Sequence, residues 1–418
     1  MKIIHTSDWH IGKKLYNIEL EEDHKYFFEQ LLEIIDNEQI DVLICSGDIF
    51  DNAFPSNSSL QLYYETLTRL SKSNLQSIVI VGGNHDSIST LNAPKQILET
   101  MNIHVIGGVP KIQNNEIEEN DFEREIIKIT NNKRELELII CAVPFLRERD
   151  IRKTYSGESF NDKMKLIAEG IENHYKKLSD MVFQYKEQNI PIIATGHLFA
   201  AGASNCDSER EIYSGTLQKT SSLIFSQNFD YVALGHIHRP QIISGNKIIR
   251  YSGSPIPLSF SEYSDKKIVI LIDIIGGKIS EIKDIELKKY REYLRFKGTF
   301  SEIKSSILDY KNNFKTNAVA EIEILESKTN PSILHEAELF FSKINNRIEV
   351  IHFTIQFADK IKGTDELFDT NVSIKDIDDT EVFLKRLEKE EIEDKEQLFS
   401  AYMELREEVL QNINLSSK

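Results

Sequence analysis

Five short polar motifs of this chain each begin where an apolar run ends. Ligand sites of α/β sheets lie beyond the carboxyl ends of strands, and glycine permits a sharp turn at such an end. We therefore expect the five motifs to meet at one site. In chain order they are Asp8-x-His10, Gly47-Asp48, Gly83-Asn84-His85-Asp86, Gly196-His197 and Gly235-His236-x-His238.

The motifs supply carboxylate, amide and imidazole groups together, which indicates a metal site. Mixed nitrogen and oxygen ligands suit Mn, Fe or Zn better than Mg or Ca, which prefer oxygen alone. In the two motifs with alternate spacing, an extended backbone would point both side chains the same way. The candidate ligands are Asp8, His10, Asp48, Asn84, His197, His236 and His238.

Other residues of the same types have ordinary explanations. Asp51 is expected to cap a helix, as a lone aspartate at a strand–helix junction commonly does. Six further histidines are expected to be packing or surface residues: His5, His24, His104, His174, His335 and His352. Cys45, Cys141 and Cys206 lack metal-type spacing and are expected to be free thiols.

The alternation of apolar runs with amphipathic patterns predicts an α/β domain over residues 1–285. Helices are expected near Glu22–Asn37, Ser58–Ser71 and Lys163–Gln188, and a surface hairpin or loop over Glu116–Glu125. Strands are expected at Lys2–Thr6, Asp41–Ser46, Gln76–Val81, His104–Ile106, Leu136–Val143, Pro191–Thr195, Tyr231–Leu234, Lys247–Tyr251 and Lys267–Ile274.

Two smaller parts are expected beyond this domain. Residues 286–375 have the pattern of a small α+β domain, and residues 376–418 that of an acidic helical tail. The formal net charge is −17, but the tail alone carries 13 acidic and 6 basic residues, so charge argues only weakly against a nucleic-acid partner. No apolar run is long enough for a membrane span and no leader pattern opens the chain, so we expect a cytoplasmic protein.

The motifs resemble those of the calcineurin-like metallophosphoesterase superfamily, D-x-H, GD, GNHD, GH and GHxH. Flanking residues resemble more closely the SbcD family of DNA nucleases within it. These are Thr6–Lys13, Ser46–Asp51, Gly83–Ser87, Gly196–Ala203, Gly235–Pro240 and Tyr251–Pro255. The resemblance covers most of the first 275 residues and implies a four-layer α-β-β-α sandwich with a capping domain.

The resemblance also implies a role for each motif residue. Asp8, His10 and His238 would hold one divalent ion, and Asn84, His197 and His236 a second. Asp48 would bridge the two ions, for which manganese is expected. His85 would not bind metal but would act on the scissile phosphate, and Asp51 stands where some archaeal relatives carry a histidine near DNA.

The family implies partners as well. The capping domain would help to embrace DNA, and the apolar faces of the tail would bind the coiled-coil base of an SbcC-type ATPase. The sequence contains no G-x-x-x-x-G-K-[ST] phosphate loop, so ATP dependence would come from that partner. A homodimer through helices of the catalytic domain is a further expectation, although core packing explains its candidate residues equally well. These are Tyr26, Phe27, Leu31, Tyr63, Tyr64 and Leu67.

The leading functional prediction is the nuclease component of an SbcC–SbcD complex, which cuts DNA ends, hairpins and cruciforms. A phosphomonoesterase or cyclic-nucleotide phosphodiesterase of the same superfamily is the alternative enzyme, and needs neither cap nor tail. A third hypothesis is a scaffold with a dead site, which would have lost ligands. The basic and aromatic stretch Lys288–Lys297 could contact phosphates or form a solvated strand face.

Overall fold

The computed structural model describes residues 1–114, 117–131, 133–152, 159–200, 224–313, 317–327, 332–343 and 348–357. It also describes single residues at 203, 209 and 330 and short pieces between 380 and 406. Two compact units are present: Met1–Ile324 with Leu334–Thr354, and Leu325–Ile333 with Ile355–Lys418.

The first large sheet has six strands, of which four are parallel neighbours. The spatial order is β16 (Lys278–Leu287), β15 (Lys267–Ile275), β1 (Lys2–Thr6), β4 (Val42–Ser46), β5 (Ser77–Val81) and β6 (Ile103–Ile106). Strands β1, β4, β5 and β6 run parallel, and β15 and β16 continue the sheet antiparallel beyond β1.

The second large sheet also has six strands, and its centre is parallel. The order is β13 (Gln241–Ile243), β14 (Asn246–Tyr251), β12 (Tyr231–Gly235), β11 (Ile192–His197), β10 (Leu136–Cys141) and β9 (Ile126–Thr130). Strand β11 lies between β10 and β12, both parallel to it, and antiparallel strands form the two edges.

Apolar residues of both sheets share one buried cluster, in which Ile44 and Val79 meet Ile140 and Ala233. A second cluster joins the first sheet to helices α1 (Glu21–Glu38) and α2 (Asn57–Leu70). A third joins the second sheet to the long helix α6 (Phe160–Glu187). The stripe of apolar residues on α6 is buried, as its spacing predicts.

Shorter elements occupy the connections. They are the hairpins β2 (Lys14–Leu15) with β3 (Ile18–Glu19) and β7 (Lys111–Asn114) with β8 (Ile117–Asn120), and helices α3 (Ile88–Asn92), α4 (Lys95–Glu99) and α5 (Glu148–Ile151). The hairpin β7–β8 confirms the expectation for Ile117–Asn120 of the acidic segment, whereas Glu116 lies outside the described residues. Single turns of 3₁₀ helix lie at Phe122–Glu125 and Phe260–Glu262.

A small sheet follows, of order β17 (Glu292–Gly298), β18 (Ala318–Glu326) and β19 (Ile348–Phe357), with helices α7 (Phe300–Asn313) and α8 (Ile333–Lys343) in its connections. Strands β17 and β18 are parallel. Tyr293 and Val319 are buried in the same cluster as the first large sheet. Strands and helices of the predicted α+β pattern are therefore present in the described residues between 286 and 357.

The described residues of the tail are helical. They include Phe383, Leu387, Phe399 and Tyr402. The rings of Phe383 and Tyr402 stack, with their centroids 4.0 Å apart. The rest of the two expected tail helices, Glu381–Lys389 and Lys395–Asn412, lies outside the described residues. None of the helices that the structure describes is both long and apolar enough to span a membrane.

Candidate metal centre

The five motifs stand at the carboxyl ends of strands from both large sheets. β1, β4 and β5 of the first sheet deliver Asp8, Asp48 and Asn84, and β11 and β12 of the second end in His197 and Gly235. Main-chain hydrogen bonds tie the first two motifs together, since Asp8 N donates to the Gly47 carbonyl at 2.9 Å. The expected meeting of the motifs is thus confirmed by the fold.

The backbone at the motifs with alternate spacing is not extended. Asp8, His10, Asp48 and His236 have φ values of 53°, 49°, 51° and 97°. These left-handed conformations are uncommon for residues other than glycine. The condition of an extended backbone is therefore not met at Asp8 and His10: strand β1 ends at Thr6, and the positive φ values of both residues turn the chain there.

Glycines beside the ligands leave room for them. A Cβ at Gly83 would lie 2.1 Å from Asp48 Oδ1, and one at Gly47 would lie 2.3 Å from His197 Nδ1. Neither contact is sterically possible, so a larger residue at either position would displace a candidate ligand.

Three groups of potential ligand atoms lie close together among the described residues, and one of them, His10 with Asp51 and His85, shares His10 with another. The other two are called the two clusters here: the first is Asp8, His10 and His238, and the second contains Asp48, His197 and His236. Asn84 Oδ1 adds to the second, 2.9 Å from His197 Nε2 and 3.2 Å from His236 Nδ1. In the first, the Nε2 atoms of His10 and His238 are 3.2 Å apart.

Asp48 stands between the clusters. Its Oδ2 is 3.2 Å from His197 Nε2 in one cluster and 3.5 Å from His10 Nε2 in the other. Its Oδ1 accepts the main-chain N–H of His85 at 2.9 Å, which fixes the orientation of the carboxylate. One carboxylate in this position can serve both clusters.

Burial and close charges oppose each other in this centre. Burial alone would raise the pKa of Asp48, but His197, His85 and His10 outweigh it and hold that pKa well below the usual range. For His197, burial lowers the pKa, yet Asp48 and Asp8 raise it to about 9. Burial and the neighbouring His197 hold the pKa of His236 well below its ordinary value.

A divalent cation fits this arrangement on its donor chemistry. His10 Nε2 lies 3.2 Å from His238 Nε2 and 3.5 Å from Asp48 Oδ2, and His236 Nδ1 lies 3.2 Å from Asn84 Oδ1. Buried imidazole nitrogens and carboxylate or amide oxygens that lie this close together form a donor set suited to a divalent ion. His197 Nδ1 donates to the Ser46 carbonyl at 2.9 Å, which leaves Nε2 as its lone-pair nitrogen facing the centre.

His85 lies beside the two clusters rather than within the assigned sets. Its Nδ1 donates to the Asp51 carbonyl at 2.6 Å, and its Nε2 is 3.9 Å from Asp48 Oδ2. The next residue, Asp86, is buried and structural. Its carboxylate accepts main-chain N–H groups of Ile49, Phe50 and Gly83 at 2.8–3.1 Å.

The expectation that Asp51 caps a helix is wrong. The N-cap of α2 is Ser56, whose hydroxyl accepts from Ser59 N. Asp51 Oδ1 instead lies 3.1 Å from Lys13 Nζ and 3.5 Å from His10 Nδ1. The connection from β4 to α2 is long enough to turn back toward the centre before the helix begins.

The remaining histidines that the motifs do not use are structural or peripheral, as expected. His5 Nδ1 bonds to Tyr231 Oη at 3.0 Å, and His174 Nε2 pairs with Glu125 at 2.8 Å. Cys45 and Cys141 are buried free thiols, and Cys206 lies outside the described residues.

Sequence reasoning missed a buried acid–base pair behind His238. Glu262 and Lys267 are both almost fully buried, with Glu262 Oε2 2.5 Å from Lys267 Nζ. Glu262 Oε1 lies 3.8 Å from His238 Nδ1. Neither residue belongs to a recognisable motif, and a buried lysine has no local sequence signal.

Most cations of the stretch Lys288–Lys297 have acidic or carbonyl partners in the chain. Arg291 pairs with Asp23 at 2.7 Å, Arg295 with Glu321 at 2.9 Å and Lys297 with Glu323 at 2.9 Å. Lys289 Nζ donates to the Tyr263 carbonyl. These contacts favour the strand-face interpretation of the stretch over a phosphate-binding one.

The fold and the centre together define a metallophosphoesterase, and comparison with known proteins agrees. The model of the calcineurin-like phosphoesterase family matches residues 1–240, so the chain belongs to that family. It is 31% identical over 405 residues to the SbcD component of the nuclease SbcCD from Escherichia coli K12, with 95% of each chain covered.

Two further relatives have the same name. The chain is 30% identical over 377 residues to the Bacillus subtilis strain 168 protein, with 85% of this chain and 90% of the relative covered. It is 33% identical over 286 residues to the Rhodobacter capsulatus protein, with 66% and 67% covered. Within the phosphoesterases, the chain therefore belongs to the SbcD family and is a metal-dependent nuclease.

Proposed function

We propose that this chain is the nuclease component of a complex with an SbcC-type ATPase and hydrolyses phosphodiester bonds of DNA. It would act as an exonuclease on double-strand ends and as an endonuclease on single strands and hairpins, in repair, replication and recombination. The observation that carries the proposal is the convergence of seven candidate ligands, with Asp48 between two clusters. Relatives of nearly full coverage are named as components of SbcCD.

The ligand sets follow from the two clusters. Asp8, His10 and His238 would hold one divalent ion, Asn84, His197 and His236 the other, and Asp48 both. Manganese is the ion that we propose, because the donors combine imidazole nitrogens with carboxylate and amide oxygens. Bound there, two ions would lower the pKa of a water molecule and neutralise charge on the phosphate.

Residues of the chain itself would position the reacting groups and supply a proton. The Asp51 carbonyl accepts from His85 Nδ1, so His85 Nε2 is the ring atom directed toward the centre. We propose that this atom donates a proton to the leaving O3′ oxygen or stabilises the charged phosphate, work suited to an imidazole. The main-chain N–H of His85 also donates to Asp48 Oδ1 and so fixes the position of that carboxylate.

The architecture supports finer proposals. The three apolar clusters favour a four-layer α-β-β-α arrangement over residues 1–285. We propose that residues 286–375 cap the DNA site, that residues 376–418 bind the ATPase, and that the protein acts in the cytoplasm, where buried free thiols such as Cys45 persist.

We also propose a homodimer through the catalytic domain, with an interface that can use only two of the six residues considered for it. Phe27, Leu31, Tyr63 and Leu67 are buried in the chain's own core, so core packing accounts for them. Tyr26 and Tyr64 are half-buried and are the candidates that remain among the six.

The test is cleavage of a hairpin-ended DNA duplex in Mn²⁺, with and without the SbcC-type partner and ATP. We expect metal-dependent cutting that the partner and ATP stimulate, and little hydrolysis of p-nitrophenyl phosphate. Preferential hydrolysis of the small ester would favour the phosphomonoesterase alternative. Metal binding without hydrolysis of either substrate would favour the scaffold hypothesis. Against that hypothesis, each of the seven expected positions has a residue type that can bind metal.

A further inference from the structure

The carboxylate of Glu262 lies directly behind His238, on the side away from the metal centre. Its Oε1 is 3.8 Å from His238 Nδ1, whereas His238 Nε2 faces His10 Nε2 at 3.2 Å. Lys267 Nζ holds the other oxygen of Glu262 at 2.5 Å and also donates to Ser254 Oγ at 2.9 Å. Because the ammonium balances its charge, Glu262 can remain an anion in a buried position.

The second histidine of the same set has a similar neighbour. Asp51 Oδ1 lies 3.5 Å from His10 Nδ1, and Lys13 Nζ lies 3.1 Å from the same oxygen. Asp51 is more accessible than Glu262, with 17% of its side chain exposed. His10 and His238, the two imidazoles of the Asp8 set, therefore each have a carboxylate near Nδ1, and a lysine pairs with each carboxylate.

Among the residues that the structure describes, no carboxylate lies behind the imidazoles of the other set. His197 Nδ1 faces a main-chain carbonyl, that of Ser46, at 2.9 Å. His236 Nδ1 faces the candidate ligand Asn84, 3.2 Å from its Oδ1, and His236 Nε2 on the other side has no hydrogen-bond partner among the described residues. Apart from the shared Asp48, this set offers neutral ligands, whereas the first set includes the carboxylate of Asp8.

Carboxylates behind metal-binding imidazoles orient the ring and make its lone pair more basic, and their loss commonly weakens metal binding about 10- to 100-fold. We propose that Glu262 and Asp51 are positioning residues for His238 and His10, and that the Asp8–His10–His238 set is consequently the tighter of the two cation sites. This inference rests on the two-metal site proposed above and adds an order of filling to it.

The test is a Mn²⁺ titration of the full-length, metal-free protein. Binding is measured by calorimetry and by the electron paramagnetic resonance signal of free Mn²⁺. We expect two sites of different affinity in the unaltered chain. Glu262→Gln should weaken the tighter site about 10- to 100-fold and leave the weaker one nearly unchanged. Asp51→Asn should act on the same site.

A matched control is Glu286→Gln. Glu286 pairs with the exposed Lys266, the neighbour of Lys267 in the chain, at 2.9 Å, and this exposed pair should have no influence on either site. Because Glu262→Gln leaves the buried Lys267 without its anion, the double variant Glu262→Gln/Lys267→Met restores charge balance. It should fold, as judged by circular dichroism, and still show the selective loss.

The outcomes are distinguishable. Unchanged affinities in a folded Glu262 variant would overturn the positioning role, and equal loss at both sites would indicate a merely structural one. Two sites of equal affinity in the unaltered chain would overturn the order of filling. Binding of fewer than two ions would instead contradict the two-metal site on which the inference rests.

Discussion

At the scale of single residues, the centre depends on which ring nitrogen each histidine turns inward. Hydrogen bonds to main-chain carbonyls decide this for His85 and His197, through Asp51 and Ser46. The roles that we propose for the two nevertheless differ, because His197 Nε2 lies near both Asn84 and Asp48 whereas His85 Nε2 is 3.9 Å from the Asp48 carboxylate.

His85→Ala should keep metal binding and lose most DNA cleavage. The variant removes the proton donor but none of the seven ligands, and general acid catalysis typically contributes about 10²- to 10⁴-fold to a rate. Single-turnover cleavage of a hairpin duplex and a parallel Mn²⁺ titration would measure both effects. The exposed His335 offers a control, since His335→Ala should change neither. Intact cleavage by the His85 variant would refute the assigned role.

Gly83→Ala should disrupt the metal centre itself. Its Cβ would lie 2.1 Å from Asp48 Oδ1 and 2.4 Å from Asp48 N, so the carboxylate between the clusters must move. We expect loss of both bound ions in elemental analysis, together with loss of cleavage. Gly245→Ala is the control: it has open space around the new Cβ, and its cost is limited to left-handed strain of about 1 kcal/mol. Normal metal content in the Gly83 variant would contradict the steric argument.

The candidate ligands could be predicted from the sequence because each lies in a short motif directly after a strand. Glu262 and Lys267 could not, since their importance comes from burial against His238, which is distant in the chain. The expectation for Asp51 is wrong for a related reason. Its proximity to the next helix is apparent in the sequence, whereas its proximity to His10 and Lys13 depends on the turn that the fold imposes.

At the scale of elements, helix α1 is joined to strand β17 by one buried aspartate. Asp23 accepts hydrogen bonds from Tyr293 Oη at 3.0 Å and from Arg291 at 2.7 Å. The aspartate is almost fully buried, whereas the arginine is partly exposed. The small sheet is thereby fixed to the helix that packs on the first large sheet.

Asp23→Ala should lower the free energy of unfolding by about 3 kcal/mol, because it leaves a largely buried guanidinium and a buried hydroxyl without their acceptor. Urea denaturation would measure the loss. Tyr293→Phe removes a single hydrogen bond and should cost only about 1 kcal/mol. Equal stability of the two variants would show that the Asp23–Arg291 pair contributes nothing.

All nine strands expected in the first domain are present, as are its three helices, with ends that differ by a few residues. Strand β16 escaped prediction because its residues are mostly exposed and its apolar residues, such as Ile279, Ile282 and Ile285, recur every three positions. That spacing does not resemble a half-buried strand. Pairing with β15 along its full length, a tertiary interaction, makes it a strand.

At the scale of the whole molecule, the described residues of the tail present apolar side chains. Leu398 and Leu405 are 44% and 63% exposed, and Leu384 is 38% exposed. The stacked rings of Phe383 and Tyr402 join the two halves of the tail. Such faces on helices are typical of segments that bind a partner surface.

Truncation near Asp376 should leave a folded, metal-binding nuclease that no longer forms a stable complex with the SbcC-type ATPase. Co-purification of the two proteins, with the full-length chain as reference, would test this. Leu405→Asp in the full chain should weaken the complex without any truncation, since it places a charge on the exposed apolar face. Stable co-purification of the truncated chain would refute the assignment of the tail.

The left-handed backbone at Asp8, His10, Asp48 and His236 has a consequence for protein engineering. Each of these conformations costs on the order of 1 kcal/mol, which glycine at the same position would relieve. A laboratory search that rewards thermal tolerance alone would therefore favour replacing the metal ligands that we propose. Improved variants of this enzyme would have to be screened for heat resistance and DNA cutting in the same round.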